Sequence, residues 1–264
     1  MSRIRVVTAL SLGAAAVAVG IRVLLSRQAA IARRRIGAPL GEESIDADRV
    51  WRRGLDGSPV ELLLLGDSLA AGLGAQTRKQ TLGGRLAKAL AAEIRRPVRL
   101  RTTAVVGSES SDLDAQVAGL PQGYRPHVAV IVVGGNDVTH RVPLPVSALH
   151  LGTAVSTLRA RGAEVVVGTC PDLGALRPVP QPLRRLASSL SRRLAAVQRE
   201  TAARSGAASV DLRRAVGPMF FDEPDEMFSL DRFHPSGLGY RRTAEALLPA
   251  VVAAARRVTR TQPS

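Results

Sequence analysis
The stretch "ELLLLGDSLAAGLGA" (Glu61–Ala75) changes character at its centre. Its four consecutive leucines read as a strand buried on both faces and bounded by a glycine. Gly66, Asp67 and Ser68 then set an acid and a hydroxyl where the apolar run stops. Further short apolar runs follow: "PVRLRTTAV", "HVAVIVVG", "EVVVGTC" and "AASVDL". Between them lie segments of helical period: "TLGGRLAKALAAEIRR", Ser110 to Leu120, "PVSALHLGTAVSTLRARG", "QPLRRLASSLSRRLAAVQRETAARSG", and Leu238 to Arg257. Strands alternating with helices predict an α/β fold, a three-layer α/β/α sandwich around a five-stranded parallel sheet. Pro97, Gly123, Gly162 and Gly206 punctuate the joints.

In such sheets ligands bind outside the carboxyl ends of the strands. The first strand ends in Gly66, Asp67 and Ser68; the second leads to Gly107 and Ser108; the third leads to Gly134, Gly135, Asn136 and Asp137. A serine hydroxyl needs a base to take its proton, commonly a histidine oriented by a carboxylate. Of the four histidines, His127, His140, His150 and His234, only the last has an acid at a useful position in a compact turn, Asp231 in "DRFHPSGLGY". Oxyanion stabilisation also needs donors, and the backbone N–H groups of Ser68 and Gly107 with the Asn136 amide can supply three. Each residue has a plainer reading. Ser68 and Asp231 can serve as helix-start signals, and Asn136 and Asp137 can make turn hydrogen bonds. Asp67 reads as a loop-structuring acid, and His140 as a loop residue near the rim. The aromatics and Met227 of "FFDEPDEMF" (Phe220–Phe228) are candidates for the wall of an acyl pocket, or for an anchored solvated loop.

The blocks "GDSL" (Gly66–Leu69), Gly107, "GGND" (Gly134–Asp137) and "DRFH" (Asp231–His234), in this order, resemble those of the SGNH, or GDSL, hydrolase family. The resemblance covers about residues 60–255 and implies a flavodoxin-like fold. It implies Ser68 as nucleophile, His234 as general base and acid, and Asp231 as its orienting partner. Ser68, Gly107 and Asn136 are implied as the oxyanion hole. "GGNDVTH" is also similar to the branch of bacterial lysophospholipase and thioesterase-like enzymes. The expected activity is serine esterase or lipase chemistry on lipid-like acyl esters or thioesters. Carbohydrate acetyl esters, acyl transfer on the same site, and a non-catalytic binding module are the alternatives.

Composition narrows the rest. The 264 residues carry a formal charge of +15, nearly all of the basic excess being arginine. Seven arginines and no acids fall in the first 36 residues, leaving 30 basic against 22 acidic residues in the remainder. No basic run is interleaved with aromatics, so a nucleic-acid partner is not expected. "GLG" (Gly72–Gly74) lacks the third glycine of a dinucleotide fingerprint, and no Walker A lysine is present. The G-x-S-x-G elbow is absent too. No cofactor or metal is expected. Cys170, the single cysteine, reads as a small buried residue.

The N-terminus reads as a membrane-directed segment. Arg3 and Arg5 precede the uncharged run Val6 to Ile21, which continues past Arg22 into Val23, Leu24 and Leu25. An uncleaved anchor is expected ahead of a cleaved signal peptide, so the protein is expected at a membrane, its side left open by the arginines on both flanks. The expected organisation is residues 1–26 as anchor or signal segment, 27–58 as polar linker, 59–258 as hydrolase domain and 259–264 as tail.

Overall fold
A computed structural model of the chain describes the backbone of residues 2–41 and 43–261 and the side chains of 16–41 and 43–258. Six strands form one sheet: β1 (Val50–Trp51), β2 (Val60–Gly66), β3 (Val98–Thr102), β4 (Val128–Val132), β5 (Glu164–Gly168) and β6 (Ala208–Val210), in the order β1-β3-β2-β4-β5-β6. β2 to β6 pair in parallel; β1 runs antiparallel to β3 at the edge. The sheet thus has one strand more than the sequence predicts. Two residues are too short for a visible alternation, but Trp51 packs in the core and β1 carries it there.

The helices are α1 (Ser2–Ile36), α2 (Ser68–Ala71), α3 (Leu82–Ile94), α4 (Leu113–Ala118), α5 (Gly135–His140), α6 (Leu144–Ala160), α7 (Leu183–Arg204), α8 (Leu212–Ala215), α9 (Gly217–Asp222), α10 (Pro224–Met227) and α11 (Gly237–Thr261). They cover both sheet faces, because side chains alternate along a strand. Leu62 and Leu64 of β2 join the cluster under α3 and α11, whereas Leu63 and Leu65 join the cluster under α4 and α6. All four leucines are fully buried, which explains their unbroken run. The chain order reverses between β2 and β4, the neighbours of the central crevice. That is the topological switch point where an open α/β sheet leaves room for a ligand.

Residues 27–58, read as a linker, include the C-terminal part of α1, from residue 27 to Ile36, and β1. α1 docks through buried Gln28 and Ala32. The Gln28 amide donates to the Gln181 carbonyl at 2.5 Å and accepts from Leu183 N at 2.9 Å. Ala16 to Leu24 are all exposed. The expectation of a membrane-spanning helix is not supported: among the described residues no helix is long and apolar enough to cross a membrane. Arg22, Arg27 and Arg33 to Arg35 interrupt the described part of α1 at short intervals. Most of the run Val6 to Ile21 lies outside the residues whose side chains are described.

Candidate active site
β2 delivers Ser68 to the rim at the first position of α2. At Gly66 (φ +130°) a Cβ would stand 1.8 Å from the Val132 carbonyl oxygen, so only glycine lets β2 approach the end of β4 this closely. Asp67 caps α2, its carboxylate accepting from Leu69 N at 3.0 Å. Its other oxygen accepts from Gly134 N at 3.1 Å and Gly135 N at 3.4 Å. Asp67 therefore ties the Ser68 turn to the segment carrying Asn136, the loop-structuring role read from the sequence. Burial pushes its carboxyl up to about 6, against the opposing effect of these three N–H donors.

His234 reaches Ser68 from the turn before α11. Its Nε2 lies 3.0 Å from Ser68 Oγ and its Nδ1 lies 2.5 Å from Asp231 Oδ2. Asp231 Oδ1 accepts from the backbone N–H of Phe233 and of His234, each at 3.0 Å. Burial alone would raise the Asp231 carboxyl, but the His234 ring and these two amides outweigh it and hold it below the usual carboxylate range. Arg232 adopts a left-handed conformation (φ +55°), a conformation rare outside glycine, to close the turn.

Gly107 (φ +87°) sits in the turn after β3, beside Ser108. The Asn136 Nδ2 group donates to the Ser108 carbonyl at 2.9 Å, which leaves its second N–H for another acceptor. Among the described residues, no protein group accepts from Ser68 N–H or Gly107 N–H.

Three further side chains support the site; Asp137 was read from the sequence as a turn residue, while Gln116 and Gln198 were not evident there. Buried Gln116 of α4 accepts from Gly66 N and donates to Gly66 O, both at 2.8 Å, and its amide also donates to Ser108 Oγ at 3.1 Å. Buried Asp137 accepts from Ser110 N at 3.0 Å and from Ser147 Oγ at 2.6 Å, joining the Gly107 loop to α6. Gln198 of α7 donates to the Val133 carbonyl at 2.8 Å and accepts from Cys170 N at 2.7 Å. The two glutamines satisfy backbone groups at or just after strand ends, and Asp137 satisfies the N–H of Ser110 in the loop after β3.

The other histidines stand apart from this chain of contacts. His127 Nδ1 accepts from Glu61 N at 2.9 Å, His140 meets Glu109 at 2.6 Å, and His150 meets Asp114 at 2.7 Å. Cys170 is fully buried and its thiol is pushed well up by that burial, as befits a packing residue. Among the described residues no cluster of His, Cys, Asp and Glu has the makings of a metal site. Leu69, which follows Ser68 in the chain, and Phe233, which precedes His234, line a small apolar cavity of about 60 Å³ together with Leu173, Val216, Phe220 and Phe228. Phe220 and Phe228 stack edge to face across a centroid distance of 4.9 Å. Met227 is buried outside this lining.

Residues 64–242 match the model of the GDSL-like lipase/acylhydrolase family. The chain is 41% identical over 202 residues to a GDSL-like esterase of Mycobacterium tuberculosis, an alignment covering 76% of this chain and 64% of that relative's length. Among solved structures, it is similar to TesA (TM-score 0.57, 24% identity, 74% of this chain and 99% of that one). It is also similar to a lipase/acylhydrolase from Enterococcus faecalis (TM-score 0.57, 21% identity, 77% and 98%). These structural likenesses bear on the fold; three of the motif blocks follow β2, β3 and β4, and the fourth lies in the turn before α11. With the family model spanning well over half its length, this chain belongs to the GDSL-like lipase/acylhydrolase family, the SGNH hydrolases.

Proposed function
We propose that the protein is a serine hydrolase that cleaves carboxylic or thio esters through an acyl-enzyme, with short acyl groups preferred. The observation that carries this reading is the continuous contact from Ser68 Oγ through His234 to Asp231, at 3.0 and 2.5 Å. His234 Nε2 takes the hydroxyl proton as Oγ attacks the carbonyl carbon. Ionised Asp231 holds the ring and stabilises the imidazolium that forms. The oxyanion of the tetrahedral intermediate accepts from Ser68 N–H, Gly107 N–H and the second N–H of Asn136. Such donors are worth roughly 2.7–4 kcal/mol each where they have been removed singly in other enzymes. Collapse expels the alcohol or thiol, which receives the proton from His234. Water, deprotonated by the same ring, then attacks the acyl-enzyme and releases the acid.

The preference for short acyl groups rests on the Phe220, Phe228 and Phe233 cavity. At about 60 Å³ this cavity is small, and its wall is apolar and aromatic. The esterase among the relatives supports ester cleavage. p-Nitrophenyl acetate turnover by Ser68→Ala and His234→Ala tests the reading: both should fall to near background, and undiminished activity in either refutes the assignment.

A lipid-like substrate presented at a membrane surface is the second reading. It is favoured by the exposed Val17, Val19, Ile21, Val23 and Leu24 of α1, with Arg22 among them, an arrangement suited to lying against anionic lipid. Fractionation of the full-length protein tests it. Recovery wholly in the soluble fraction, with the N-terminus intact, contradicts it.

A further inference from the structure
On the far side of Phe228 from the acyl cavity lies a second, larger cleft of about 670 Å³, bordered by Gly74, Ser229 and Ser236. It abuts the catalytic turn directly, because a Cβ at Gly74 would stand 3.3 Å from His234 Cβ. Three guanidinium groups line it: Arg85 from α3, Arg232 from the catalytic turn and Arg241 from α11. Arg85 Nη2 donates to the Gly237 carbonyl at 2.7 Å, while its Nε is buried without a partner. Arg241 makes only a long contact to Glu245, at 3.8 Å. Arg232 has no ion-pair partner among the described residues, and it occupies a left-handed conformation that is rare for a residue other than glycine. Asp225 is the one acid in the lining and pairs with none of the three. The 25-residue α11 starts at Gly237 in the same wall, so the positive end of its dipole adds to the field.

Three cations with only Asp225 in the lining and Glu245 at long range behind Arg241 are short of counter-charge. We infer that this cleft is an oxyanion-recognition subsite that holds a phosphate or carboxylate group on the leaving-group portion of the ester. The inference rests on the ester-hydrolase reading above. Guanidinium groups suit such ligands because their planar donors pair with two oxygens at once. Phe228 is then a partition, with the acyl group on one side and the anionic group on the other.

The test compares 4-acetoxyphenyl phosphate with neutral p-nitrophenyl acetate, which share the acyl group, using the full-length protein. Each variant removes a guanidinium at an exposed position: Arg241→Gln, and Arg232→Gly, which keeps the left-handed turn unstrained. The ratio of kcat/KM for the phosphate ester over the neutral ester should fall about tenfold in each, the loss of one charge-assisted pair. Inorganic phosphate should bind the Ser68→Ala protein by calorimetry, and should bind more weakly when Arg241→Gln is added. It should also compete with the phosphate ester in the wild-type protein. Phosphate binding with an unchanged ratio in both variants would assign the cleft to a free anion and overturn the subsite. An equal loss on both esters, or no phosphate binding, would overturn it too. Residual turnover by Ser68→Ala would instead count against the ester-hydrolase reading, since the calorimetric result does not depend on turnover.

Discussion
Replacing Gln116 by leucine separates the scaffold of the proposed oxyanion hole from its donors. Leucine fills much of the same buried volume in α4 but removes the acceptor of Gly66 N–H and the donor to Ser108 Oγ. The Gly66 carbonyl keeps a bond from Val105 N at 3.1 Å, so the backbone group orphaned is the buried Gly66 N–H, while the Ser108 hydroxyl also loses its partner. Leaving the N–H unpaired costs about 1–3 kcal/mol. For a chain of this size that lowers Tm by roughly 2–4 °C per kcal/mol. The functional consequence is separate. Ser108 is held at its hydroxyl by Gln116 and at its carbonyl by Asn136, so the Gly107 turn loses one of its two side-chain ties. Outright loss of an oxyanion donor costs roughly 10²–10³ in kcat, and a loosened donor should cost part of that, about tenfold or more. Thermal melting and p-nitrophenyl acetate kinetics together measure both effects, with KM expected to change little. A Gln116→Leu protein destabilised as expected but with kcat within about twofold of wild type would refute the positioning role.

Gly66→Ala should abolish folding or destabilise by more than about 3 kcal/mol, because the new methyl meets the Val132 carbonyl at 1.8 Å in a left-handed backbone; a melting temperature near wild type would contradict this. Asp67 should make stability fall with rising pH, since a native carboxyl pushed up to about 6 binds its proton more tightly than the unfolded chain does, near 3.9. The stability of wild type minus that of Asp67→Asn, from urea unfolding, should therefore drop by about 2 kcal/mol between pH 4 and 7, and a pH-independent difference would count against it. Enlarging the acyl cavity by Phe220→Ala should move preference toward longer acyl chains. The shift should be about tenfold per methylene accommodated, read as kcat/KM across a p-nitrophenyl ester series, and an unchanged profile would remove Phe220 from the acyl wall.

The meeting of Ser68, His234 and Asp231 was legible because these residues sit in short, local patterns. Asp231 and His234 share one turn, and Ser68, Gly107 and Asn136 each follow an apolar run that reads as a strand. Partners joined across the fold were not legible. Gln116 lies 50 residues from Gly66 and Gln198 lies 65 from Val133, and glutamine is an ordinary helix residue. Their one sequence signal is position: Gln116 adjoins Val117 on the buried side of α4, and Gln198 lies four residues after Leu194 and three before Thr201, all buried. β1 escaped because two residues carry no period, and Trp51 in a polar stretch was the only hint of burial. The seat of α1 rests on Gln28, which bonds to backbone groups more than 150 residues away.

The central claim is that Ser68 carries the acyl group during turnover. Intact-mass and peptide analysis after reaction with a fluorophosphonate ester, which traps activated serine hydroxyls, tests it most directly. The account predicts a single adduct on Ser68, absent in Ser68→Ala and greatly slowed in His234→Ala. Labelling at another residue, or equal labelling of Ser68 without His234, would contradict it.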